Sequence, residues 1–230
     1  MGLVVPLLLA AAACAGYVIA AGRTGASARR SAAFVAGVAG AGCAVAWDPA
    51  SLPAHMVQHG LLTTVAAPLI VLGEPIVLVL RLVSARHRRA LVRSARRVQP
   101  LLGAWAGLCA FVGVQWLAHW PALIAGAEGH PFLHAALHAA LLGSAVVFFL
   151  PILGRQPVPR RLPSTRAVLQ MIAAISLVDL VTVPYLATGR GGAAAAMLAA
   201  MSPLGIVALL VAWHGLAQEE RRMLRREALS

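Results

Sequence analysis

The sequence predicts an all-α protein: a polytopic transmembrane bundle of seven spans, with the N-terminus outside and the C-terminus inside the cell. Three observations predict it. Hydrophobic residues make up 60% of the 230 and charged residues only 11%, against about 25% charged in a soluble domain. Seven apolar stretches approach the roughly 20 residues that a helix needs to cross the hydrocarbon core. Eighteen of the nineteen arginines fall in four clusters, 23–30, 81–97, 155–166 and 221–226. These clusters occupy alternate loops, as cytoplasmic loops rich in positive charge require.

The first span, 3–21, has no basic residue before its apolar run. A signal peptide starts with positive charge, so this segment is expected to stay as a helix. The second span covers 32–47 and is short at its polar ends. The third, 54–72, opens after the turn-like Trp47-Asp48-Pro49. Pro68 should kink it, and Gly73-Glu74-Pro75 should end it, with Glu74 pairing to a nearby arginine such as Arg81. Residues 76–98 are apolar first and strongly basic after. They read as a helix in the cytoplasmic interface, arginines toward anionic lipid headgroups; the alternative is a third span that continues past Pro75.

The fourth and fifth spans are 101–119 and 132–153. The loop 155–166, broken by Pro157, Pro159 and Pro163, leads to the sixth and seventh, 167–186 and 193–216. A charged helical tail, 218–230, then lies in the cytoplasm. The whole chain reads as one integral membrane domain.

The formal charge of +12 is not a nucleic-acid signal, because its placement follows the topology. Lysine and asparagine are absent while alanine, glycine and arginine abound, a bias that a GC-rich genome produces. Cys14, Cys43 and Cys109 stand alone in apolar context. Without the paired spacing of a zinc or redox motif, they read as packing residues.

Six of the eight histidines lie at the ends of spans that lack arginine. His55 and His59 are four apart at the outer start of span three. His130, His134 and His138 repeat that spacing before and within span five, and His119 ends span four on the same side. Residues four apart share a helix face. At about 1.5 Å per residue, His59 lies roughly 8 Å and His138 and Asp179 roughly 10 Å below the outer boundary. Met197 and Met201 sit at a similar level on span seven. His87 in the basic loop and His214 at the inner end of span seven fall outside this group.

Ionisable groups inside spans face the protein interior or a cavity and mark function by default, whereas interfacial histidines often bond only headgroups or helix ends. His59 and His138 are too deep for that second role. Imidazole with thioether suits copper, and soft sulfur favours Cu(I). That makes Met201 and Met56 further candidate ligands. Zinc hydrolysis needs a base such as the Glu of HExxH, and Met56-Val57-Gln58 offers none. Haem b clamped between His59 and His138 stays open beside copper. Asp179, the one acid well inside a span, fits a ligand, a proton relay or, the reading preferred, a hydrogen-bond partner that orients a metal-bound imidazole.

A family pattern covers the middle hundred residues. His55-Met56-Val57-Gln58-His59 is followed by Ala66-Ala67-Pro68-Leu69, Leu72-Gly73-Glu74-Pro75, Trp116 and His119-Trp120-Pro121. Then come His134-Ala135-Ala136-Leu137-His138 and Phe149-Leu150-Pro151-Ile152-Leu153-Gly154, with Glu219-Glu220-Arg221-Arg222 after span seven. This ordered set resembles the CtaG-type cytochrome c oxidase assembly family. Residues 188–203, nine of sixteen alanine or glycine, depart from it.

The resemblance implies an assembly factor, not an enzyme, that handles copper for a haem–copper oxidase. It implies His55, His59, His134 and His138 as copper ligands, with His119 a further candidate. An oxidase subunit would be the client, and another copper chaperone a further partner. The rival expectations are a haem b-binding electron carrier and an assembly scaffold without metal.

Overall fold

The computed structural model describes residues 4–99, 103–154 and 161–227. Met1 to Leu3, residues 100–102, the loop stretch 155–160 with Pro157 and Pro159, and the end of the tail, 228–230, lie outside it. Among the described residues the chain is all helix, with no strand.

The expected spans map onto α1 (Val4–Thr24), α2 (Ala28–Ala46), α3 (Leu52–Gly60) continued through a π-helical turn (Leu61–Ala66) into α4 (Ala67–Leu72), and α7 (Ala104–Ala118). They continue with α9 (Pro131–Leu153), α10 (Ser164–Asp179) with α11 (Thr182–Ala187), and α12 (Gly191–Glu227). Among the described residues five segments are long and apolar enough to cross a membrane: Val4–Thr24, Leu52–Leu82, Pro131–Leu153, Ser164–Ala187 and Gly191–Arg225. α7, at 15 residues, is shorter. α2 carries Arg29 and Arg30 in its first turn.

Pro68 widens the third segment instead of simply kinking it. Ala67 N–H reaches back to the Leu62 carbonyl, a five-residue step, and the carbonyls of His59 and Gly60 accept from side chains as well. Thr63 Oγ1 donates to His59 O at 2.9 Å, and Thr64 Oγ1 donates to Gly60 O at 2.8 Å and to Ala200 O of α12 at 3.0 Å. Such π turns are rare and cluster at functional sites.

The break after Gly73 is real. Glu74 is left-handed at φ 54°, and α5 (Pro75–Leu82) starts at the proline, followed by α6 (Ala85–Arg97), which Ser84 caps and which buries no residue. Glu74 pairs not with Arg81 but with Arg30, at 3.4 Å, because the turn packs α5 back against α1 near the start of α2. Tyr17 donates from α1 to the Gly73 carbonyl and stacks on Phe34.

Span six is not continuous. α10 ends at Asp179 and α11 resumes at Thr182. Pro184 has no N–H for the Leu180 carbonyl and crowds it, so the helix gives way four residues upstream. A short α8 (Pro121–Glu128) also follows His119, starting at Pro121. Span seven and the charged tail form one helix of 37 residues.

The third segment packs against α2, α9 and α12. α9 packs on α7, α7 on α10, and α10 on α12, which closes a ring, with α1 outside on α2. Phe111, Phe148, Phe149, Met171 and Leu204, all fully buried, fill one half of that ring. Small residues let the helices close. A Cβ on Gly60 would sit 2.3 Å from Ala200 Cβ, and one on Gly37 would sit 2.8 Å from Ile70 N. Met171 is part of the core. Cys14 is part-buried, whereas Cys43 and Cys109 are exposed on the outer surface of the bundle.

Candidate metal centre

One half of the ring holds the histidines. Ser51 accepts from Ala54 N–H and starts α3, so His55 and His59 follow one turn apart on the inward face. Pro131 starts α9 and leaves His130 exposed at its cap, outside the cluster. His134 and His138, one turn apart, face the pair on α3. His55 stacks on His134 with ring centroids 5.2 Å apart, and His59 meets His138 edge-on at 5.1 Å.

His59 and His138 are buried at 3% and 4% exposure, while His55 and His134 are half-buried. One ring nitrogen from each of His55, His59 and His138 falls within 4.8 Å of the others. An imidazole–metal bond of about 2.0–2.1 Å sets ligand nitrogens about 3.3–3.6 Å apart. Small side-chain adjustments would therefore bring the trio onto one ion. Among the described residues His134 Nε2 and His138 Nε2 are buried without a hydrogen-bond partner, and leaving such atoms unpaired costs about 1–3 kcal/mol each. A bound cation would satisfy them.

A chain of hydrogen bonds sets which nitrogen of His59 is available. His119 Nδ1 lies 2.7 Å from the Gln115 carbonyl, which can only accept, so Nδ1 carries the hydrogen. His119 Nε2 then accepts from His59 Nδ1 at 3.1 Å. In the neutral ring His59 Nε2 is left as the lone pair facing the cluster, 2.8 Å from His55 Nε2. His119 is itself held from behind by Tyr185, whose hydroxyl donates to its carbonyl at 2.7 Å. With both nitrogens engaged, His119 is the residue that orients His59.

Two small cavities meet at His59. One, of about 20 Å³, is lined by His55, His59, His134 and apolar residues of α7–α9. The other, of about 10 Å³, is lined by His59, His119, Gln115, Asp179, Met56, Met197 and Met201 among others. Asp179 thus lies beside the cluster, with Oδ1 buried and unpartnered. The bond that orients an imidazole comes from the backbone carbonyl of Gln115 instead. His87 bonds Ser84 on the exposed α6, and His214 bonds Leu210 on exposed α12; both stand apart.

Sequence reasoning missed Gln115, Gln58 and Tyr185. Gln58 is fully buried and donates to the carbonyls of Ala44 and Trp47 at 2.6 and 2.8 Å, fixing α3 to the end of α2. Gln115 had a signal: a lone amide in an apolar helix, four residues before His119.

Fold and site together define a multi-pass helical membrane protein with a buried cluster of imidazoles between its third and fifth segments. The chain belongs to the cytochrome c oxidase caa3 assembly factor family (Caa3_CtaG), whose model matches residues 14–201. That match takes in every clustered histidine and ends at Met201. Neither the curated proteins nor the solved structures contain a match to the chain. Oxidase assembly is therefore the family's role, and an oxidase is its partner.

Proposed function

We propose that the chain binds copper at His55, His59, His134 and His138 on its outer side and hands it to a subunit of the oxidase. The observation that carries this reading is the convergence of His55, His59 and His138 from two helices. An all-imidazole set without a carboxylate base suits holding an ion more than activating water. Transfer then proceeds by ligand exchange, with no bond of a substrate broken, so the protein is not an enzyme. His55 and His134, nearer the surface, accept the ion; His59 and His138 hold it. The donor is a second copper chaperone.

The same reading sets the topology. Seven spans place the N-terminus and the histidines outside and the arginines of α6 and the tail inside, where anionic headgroups attract them. The membrane is the bacterial inner membrane.

Haem b is the second reading. Cavities of about 10 and 20 Å³ at the cluster favour an ion over a macrocycle. An absorption spectrum of purified protein separates the two: a Soret band supports haem, its absence together with bound copper supports this proposal. A metal-free scaffold is the third. In a strain lacking the native gene, a His59→Ala/His138→Ala variant should reach normal abundance yet leave the oxidase copper-deficient. Loss of the variant protein itself, in step with the oxidase, would favour the scaffold.

A further inference from the structure

The cavity on the inner side of His59 is unlike the histidine cavity in its donors. Met56 comes from α3, Met197 and Met201 from one face of α12, Asp179 from the end of α10, and Gln115 from α7. All three methionines are buried, at 1%, 5% and 8% exposure. Gln115 is 0% exposed and neither its amide oxygen nor its amide nitrogen has a partner, and Asp179 Oδ1 is also buried and unpaired. Packing alone does not account for an amide and a carboxylate left unsatisfied in a chamber they share with three methionines, His59, His119 and Thr182.

We propose that this chamber is a second site for a soft monovalent cation, Cu(I), separated from the histidine site by the ring of His59. The proposal rests on the copper reading above and extends it. Thioethers are neutral donors that select Cu(I). One carboxylate beside them neutralises a single positive charge, which a low-dielectric span strongly favours over an isolated ion of either sign. His119 does not compete for the ion, because both its nitrogens are committed to Gln115 and His59. His59 lines both cavities, so an ion held by thioethers is one ligand exchange from the imidazoles. The break at Asp179 serves this arrangement: it ends α10 where the carboxylate meets α12.

The test is Cu(I) titration of the full chain in detergent under reducing conditions, with X-ray absorption at the copper edge. Wild type should bind about two ions per chain, one with sulfur scatterers. Met197→Leu/Met201→Leu, which conserves volume, should lose the sulfur signal and one equivalent and keep the nitrogen-ligated ion. His55→Ala/His138→Ala should do the converse, and it decides the matter even if the methionine variant fails to fold. Asp179→Asn should weaken the sulfur-ligated ion at least tenfold. A wild type that binds one ion through nitrogen alone overturns the chamber and leaves the histidine site standing. A wild type that binds no copper overturns both.

Discussion

His59 Nδ1 lies 3.1 Å from His119 Nε2, and the far side of His119 is tied to the Gln115 carbonyl at 2.7 Å. The imidazole that faces the cluster is therefore aimed by one that does not. Partners of this kind are typically worth 10–100-fold in metal affinity. His119→Phe should weaken Cu(I) binding by about that factor at unchanged stoichiometry. His119→Gln should recover part of the loss, because its amide can accept from His59 and donate to Gln115. A competition titration with a chromophoric chelator reads both. Equal losses in the two variants, with an equivalent missing, would make His119 a ligand instead.

The approach of α3 to α12 depends on Gly60, where a Cβ would sit 2.3 Å from Ala200 Cβ. Gly60→Val should force the helices apart and cost about 1–3 kcal/mol. It should also disturb the bond from Thr64 to the Ala200 carbonyl and hence the π turn below His59. Thermal unfolding in detergent should show the loss, and copper affinity should fall with it. An unchanged melting temperature would mean that the helices are not in close contact there.

At the other end of the bundle, Tyr17, Arg30, Gly73 and Glu74 tie α1 and α2 to the turn before α5. Tyr17→Phe removes one buried hydrogen bond and should destabilise the protein by about 0.5–1.5 kcal/mol. Copper stoichiometry should stay the same, since Gly73 lies about 20 Å along the third segment from His59. A shift in the denaturant midpoint without a change in bound copper is the expected result; lost copper would show that the two ends are coupled.

Topology gives a further expectation. Alkaline phosphatase fused after Asp48 should be active and fused within 161–163 inactive, and green fluorescent protein fused after Glu227 should fluoresce. The opposite pattern would put the histidines on the cytoplasmic side.

Much of this was legible from charge and spacing. Span five was expected over 132–153 and runs Pro131–Leu153, because Pro131 and Gly154 mark its ends chemically. The pairs His55/His59 and His134/His138 declared their shared faces through helical periodicity alone. His130 kept the same spacing but not the same place: a residue just before a helix-starting proline lies outside the helix. The break at Asp179 went unread because Pro184 acts four residues upstream of itself. The partner of Glu74 and the link from His59 to His119 depend on which helices are neighbours, and no local pattern encodes that.

Copper content of the purified chain is the most direct measurement. Wild type should carry copper, and His59→Ala/His138→Ala, equally abundant and monodisperse, should lose the nitrogen-ligated ion. A wild type without copper, or a double variant with the same copper and the same nitrogen ligation, would contradict the account.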